Sequence, residues 1–189
     1  MDLLGTLVKT GIKLRSRRQK KQFSPLEEQM KVLQKLLVKA ENTQFGKHYH
    51  FGMMVGLRKA GDPKAKYKQF CRNVPTHTYN QIFETWWHKT LKGQSDVCWP
   101  GQTKYFALSS GTSEASTKHI PITKDIIKAN QKTSIRQILT LSHYKDLPSD
   151  FFIKGILMLG GSTNLNFNGI SYEGDLSGIQ VSQIPFWFQ

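Results

Sequence analysis

The sequence predicts an α/β protein in which a run of helices precedes a strand–loop–helix–strand region. Three observations carry this expectation. Up to about residue 93, apolar residues recur at helical spacing behind recognisable capping residues. After Pro100 the texture changes to short apolar runs separated by Gly- and Ser-rich turns, the alternation typical of α/β domains. The length of 189 residues, with 38% hydrophobic and 11% aromatic residues, supplies a packed core for one domain or part of a larger one.

Residues 2–18 read as a basic amphipathic helix, with Leu3, Leu4, Leu7, Val8, Gly11, Ile12 and Leu14 near helical spacing. Such a helix suits a membrane surface or an organelle transit peptide, being Arg-rich and acid-poor. The preferred expectation is plainer: its leucines pack on the rest of the fold. The next helix is better marked. Ser24-Pro25-Leu26-Glu27 gives an N-cap, a proline at the first helical position and a capping-box glutamate. Leu26, Met30, Leu33, Leu37 and Ala40 then line one face to about Glu41, with Gly46 in the exit loop. Asp62-Pro63 opens a third helix through Tyr67 and Phe70. Thr78 with Gln81 makes a second capping box, and Ile82, Phe83, Trp86, Trp87 and Leu91 give a fourth helix closed by Gly93. Its aromatic stripe has the spacing of one buried helical face and reads as core.

Lys104 to Leu108 is a strand-like run that enters a small-residue loop. Thr123 precedes a helix from about Lys124 to Leu141, and Phe151 to Leu159 reads as a buried strand before Gly160-Gly161. Asn164 to Gly178 reads as turns around a short hairpin. The domain expectation is therefore a basic helix over 1–22, a helical region over 23–100, and the start of a nucleotide-binding α/β region over 101–189 with a phosphate loop at 109–121. The aromatic run Phe186-Trp187-Phe188 at the end of the chain suggests a truncated domain.

The formal charge of +14 favours polyanionic partners without choosing among them. Two cysteines, Cys71 and Cys98, make no disulfide framework and read as packing residues in a reducing, cytoplasmic setting. No apolar run reaches the roughly 18–20 residues of a membrane span. The six histidines show no metal-ligand spacing, so no metal site is expected from the residues.

One segment carries chemistry: Ser109-Ser110-Gly111-Thr112-Ser113, followed by Glu114-Ala115-Ser116-Thr117 and Lys118-His119-Ile120-Pro121. A phosphate-binding loop needs small residues so that backbone N–H groups approach the anion, and it gains from hydroxyls and one cation. The segment offers all three, but it is not a Walker loop, because no second glycine precedes a Lys-Ser/Thr pair. On composition alone an ordinary Ser/Thr-rich turn fits equally well.

The order of these residues resembles the first nucleotide-binding motif of the GH3 auxin-responsive promoter family, acyl-acid amido synthetases of the adenylate-forming (luciferase-like) superfamily. Asn42-Thr43-Gln44-Phe45-Gly46, Val74-Pro75 with Tyr79, and Gly174-Asp175-Leu176-Ser177-Gly178-Ile179 match in the same order. Ala115 and Ser116 stand where many relatives carry glycine. The resemblance covers nearly the whole chain but only the N-terminal part of what the family possesses. It implies the start of a luciferase-like large domain, left incomplete here, completed by a missing C-terminal part of the same protein.

It further implies an ATP-dependent, Mg²⁺-assisted ligase. A carboxylic acid attacks the α-phosphate of ATP to give an acyl-adenylate, and an amino acid or other amine then displaces AMP. By this resemblance Ser109, Ser110, Gly111, Thr112 and Ser113 bind phosphate through hydroxyls and backbone, and Lys118 supplies catalytic positive charge. No specific nucleic-acid partner and no transmembrane segment are expected, and the 189 residues alone should be inactive. The rival expectation is a non-enzymatic basic protein that binds anionic lipid or nucleic acid.

Overall fold

The computed structural model describes residues 3–17, 24–56, 63–109, 117–141, 144, 148, 150–151 and 160–184. It divides into two compact units, Met1–Gln22 with Lys124–Gly160, and Phe23–Thr123 with Gly161–Gln189.

The larger unit opens with α2 (Pro25–Ala40), and its start follows the sequence signals closely. The Ser24 hydroxyl accepts the Glu27 N–H at 3.2 Å, and the Glu27 carboxylate accepts the Ser24 N–H at 2.8 Å. These two bonds satisfy amide donors that a helix N-terminus leaves open. Leu37 and Ala40 are buried, while Leu26 at the mouth of the helix stays exposed.

Two short helices missed at the level of sequence complete the core: α3 (Gln44–His48) and α4 (Phe51–Gly56). Thr43, itself buried, starts the first by accepting the Gly46 N–H at 3.0 Å while donating its hydroxyl to the Ala40 carbonyl at 2.7 Å. A Cβ on Gly46 would lie 1.9 Å from that same carbonyl oxygen, so the turn closes only around glycine. Leu37, Ala40, Phe51 and Met54 form the core, packed by Leu33, Phe45, Tyr49 and by Phe70 of α5 (Pro63–Asn73).

The aromatic segment begins as predicted and then departs. Thr78 and Gln81 exchange their capping-box bonds ahead of α6 (Tyr79–Ile82). Phe83–Trp87 then widens into a π-helical turn before α7 (His88–Leu91). Trp86 is buried and meets the Phe45 ring edge-on at 5.4 Å, whereas Phe83 and Trp87 are half-buried. The stripe is core at Trp86.

The sheet has the order β2-β1-β4-β3, with β1 Tyr105–Ser109, β2 Lys118–Ile122, β3 Asn166–Phe167 and β4 Tyr172–Gly174. β1 runs antiparallel to β2 and parallel to β4, and β3 and β4 form the expected short hairpin. α9 (Leu176–Ser182) follows, in a stretch whose glycine and serines read as turn. Gly178 is the reason the helix can sit there: a Cβ would lie 2.0 Å from the Ser162 carbonyl oxygen. The expected buried strand at 151–159 falls on residues 152–159, outside the described ones; Phe151 itself is exposed.

The smaller unit pairs α1 (Leu3–Arg17) with α8 (Lys124–Thr140). α8 buries Ile127 and Leu139 and leaves Ile126 and Ile135 exposed. For α1 the preferred expectation fails. Leu3, Leu4, Leu7 and Leu14 are 57–78% exposed, and among the described side chains of α1 only Gly5 and Ile12 are buried. These two lie seven residues apart, so they share one face, and the leucines project from others. No helix among the described residues is long and apolar enough to cross a membrane.

Candidate functional site

The segment singled out by its hydroxyls is the connection of a β-hairpin. In the register of β1 and β2, Ser109 stands opposite Lys118 and Leu108 opposite His119. Residues 110–116 lie outside the described ones, and with them Ser110, Gly111, Thr112 and Ser113. The two ends of the segment are therefore placed, and they are directly paired. Lys118 through Pro121, expected within the loop, belong to a strand; the antiparallel ladder with β1 holds them extended despite Pro121.

An aromatic support holds the Lys118 end. The Lys118 ammonium lies 5.4 Å from the centre of the Tyr79 ring, and both Lys118 and His119 are half-buried. The Tyr79 hydroxyl accepts the His119 N–H at 2.8 Å, which ties α6 to β2. Tyr79 in turn stacks on Phe83 at 5.5 Å and meets Trp87 edge-on at 6.1 Å. A cation over an aromatic face is attracted by the ring quadrupole, typically by about 0.5–1 kcal/mol at exposed sites. The contact parks the charge at the hairpin mouth without neutralising it.

The other side of β2 carries a polar chain that sequence spacing did not reveal. His119 Nε2 lies 3.8 Å from the Glu173 carboxylate, and Asn168 Nδ2 donates to that carboxylate at 2.5 Å. The Asn168 side-chain oxygen accepts the N–H groups of Ile170 and Ser171, which folds the β3–β4 turn. His119 and Glu173 are 54 positions apart in sequence and meet only because β1 separates their strands.

A groove of about 410 Å³ lies along Tyr105, Asn164, Leu165, Tyr172 and Gln183. Tyr105 and Tyr172 stack at 5.7 Å, and the Gln183 amide donates to the Tyr105 hydroxyl at 3.0 Å. It sits at the start of β1, whereas Ser109 is at its end. Four residues of strand, roughly 13 Å, separate the groove from the hairpin connection.

The stretch around α9 is built for helix initiation. Asp175 caps the helix by accepting the Ser177 N–H at 2.7 Å, and the Ser177 hydroxyl accepts the Gly161 N–H at 2.6 Å. Hydrogen bonds from the Ser177 side chain and backbone hold the Asp175 carboxyl below the usual carboxylate range.

The GH3 family N-terminal domain model matches residues 17–182. The chain belongs to the GH3 family. No curated protein and no solved structure gives a match. The matched span starts at the last residue of α1 and ends at the last residue of α9, so it takes in the hairpin and its support and leaves almost all of α1 outside.

Within this GH3 domain the remaining candidates resolve simply. Burial pushes the Cys98 thiol up to about 12, against the opposing pull of Lys89 and a hydrogen bond with Trp87, so it stays protonated and un-nucleophilic. Cys71 is exposed, which corrects its expected packing role. Among the described residues no three His, Cys, Asp or Glu side chains form a metal-binding group. Around the hairpin the described side chains offer the Lys118 cation and the hydroxyls of Ser109 and Thr117, with Glu173 already engaged.

Proposed function

We propose that this chain forms the phosphate-gripping part of an ATP-dependent ligase that joins a carboxylic acid to an amino acid or other amine through an acyl-adenylate. The observation that carries the reading is the pairing of Ser109 with Lys118 across a hairpin, in a chain of the GH3 family. A strand pair brings Ser109 and Lys118, at the two ends of the hydroxyl-rich connection, side by side. Lys118 adds one positive charge there, supported from below by Tyr79.

The chemistry this suits has two steps. A carboxylate oxygen attacks the α-phosphorus of ATP, a P–O bond forms, and the bond to the β-phosphate oxygen breaks to release pyrophosphate. An amine nitrogen then attacks the acyl carbon, the acyl–oxygen bond to AMP breaks, and the amine gives up a proton. Charge gathers on the departing pyrophosphate in the first step. Ser109, Ser110, Gly111, Thr112 and Ser113 would bind it through hydroxyls and backbone, and Lys118 would offset its charge. That is electrostatic stabilisation, with no covalent role for the chain.

Lys118→Ala in the full-length enzyme separates the two steps. Adenylate formation, read as acid-dependent exchange of pyrophosphate into ATP, should fall by about 10²–10³. Amide formation from a supplied acyl-adenylate should be spared, since no triphosphate remains to be gripped. Equal loss in both steps would reduce Lys118 to a structural residue. No loss in either would leave the segment an ordinary turn.

A further inference from the structure

We propose that α1 is a peripheral membrane anchor that lies flat on an anionic lipid bilayer. The apolar surface for this is already displayed. Leu3, Leu4, Leu7, Val8 and Leu14 are 38–78% exposed on a helix of 15 residues. Turned at 100° per residue, they and Gly11 fall on one side of the helix, with Arg15 near its C-terminal end the one charge among them. Gly5 and Ile12, the buried residues, occupy a different face, and the helix packs along α8. The leucines are thus surplus to the packing of this unit. An exposed side with this many large aliphatic residues is rare on a surface that meets only water.

The charge selects the partner. α1 contains Lys9, Lys13, Arg15 and Arg17 and no acidic residue. Lys13 and Arg15 are exposed on either side of Leu14 in the chain. Aliphatic side chains entering the acyl boundary while flanking cations reach the headgroups is the pattern of an interfacial helix. At roughly 22 Å the helix is too short to span the hydrocarbon core and long enough to lie along its surface. A nucleic-acid duplex would use the cations but has no place for four leucines. The family domain match starts only at residue 17, so the anchor is an addition to the domain and does not depend on the ligase reading.

The full chain sedimented with vesicles tests this. Partitioning onto phosphatidylcholine containing about one-third phosphatidylserine should exceed that onto pure phosphatidylcholine by tenfold or more. Leu7→Glu, at a position 62% exposed, should weaken it by at least about tenfold while leaving the tryptophan fluorescence of the larger unit unchanged. Lys13→Glu with Arg15→Glu should weaken it by at least roughly fivefold per charge, and added salt should mimic that loss. Absence of partitioning onto either vesicle overturns the proposal. So does partitioning that Leu7→Glu leaves intact, or a DNA or RNA duplex bound tightly and equally by both proteins, which would make α1 a polyanion patch. A cellular form of the protein whose N-terminus begins after Arg17 would make α1 a removed leader, and would overturn it too.

Discussion

Helices α1 and α2 have nearly the same length, 15 and 16 residues, and both repeat leucines at helical spacing. Their surroundings differ completely. α2 starts at a capping box and ends by burying Leu37 and Ala40 under α3, α4 and α5. α1 buries one glycine and one isoleucine and holds its leucines outward. Their charges separate them as well, since α2 places Glu27 and Glu28 in its first turn and α1 has no acid at all. Periodicity says that a helix has an apolar side; it does not say what covers that side. The covering is read from caps, close approaches and the sign of the neighbouring charge.

The sharpest test of this contrast removes one leucine from each helix. Leu37→Ala, at 1% exposure, should cost about 2–5 kcal/mol, because a cavity adds to the lost burial. Leu7→Ala should change stability by no more than about 0.5 kcal/mol, as befits a surface position. Urea unfolding followed by tryptophan fluorescence and by circular dichroism measures both. Comparable losses at the two sites would erase the distinction.

A glycine pair gives the next largest effect, with opposite signs. Gly46→Ala should destabilise by about 1–3 kcal/mol, since the new Cβ meets the Ala40 backbone and the turn must shift. In α1, a Cβ on Gly11 meets nothing within 4 Å. Gly11→Ala should therefore raise helix stability by roughly 0.5–1 kcal/mol, visible as increased helical signal. A loss at Gly11 would mean that its face is covered after all.

Removing the α2 cap with Ser24→Ala should cost about 1 kcal/mol. It should also change the acid limb of the stability curve. Hydrogen bonds from Ser24 hold the Glu27 carboxyl below its ordinary range. The contribution is whole above the unfolded glutamate value and is lost as pH falls through the lower folded value. The Ser24 backbone N–H is the larger cause and survives in Ser24→Ala, so the substitution should flatten that part of the profile only in part, and a complete loss of the slope would show that the hydroxyl carries the linkage.

Much of this was legible in the sequence, for local reasons. Ser24-Pro25-Leu26-Glu27 and Thr78 with Gln81 announce their helices because capping chemistry acts within four residues. β1 was visible from its apolar run, and the hydroxyl-rich segment after it stood out both by composition and by family resemblance. β2 was hidden because His119 and Pro121 do not look like a strand until β1 pairs with them. β4, the meeting of His119 with Glu173, and the ring of Tyr79 under Lys118 were hidden for a stronger reason: each depends on residues 39 or more positions apart. The π-helical turn at Phe83–Trp87 has no signal in its aromatic pattern, which an ordinary helix would share.

The parallel pairing of β1 with β4 has a consequence for how the chain is made. β2 emerges soon after β1 and covers one of its edges, but β4 follows Ser109 only after roughly sixty further residues, the whole of α8 among them. At about 5–20 residues per second, that leaves the second edge of Tyr105–Ala107 without its partner for roughly 3–12 s of synthesis. An open strand edge is a template for pairing with another chain. Nascent copies are thus most prone to cross-pairing in the interval between α8 and β4, and a slower ribosome over those codons would lengthen the exposure.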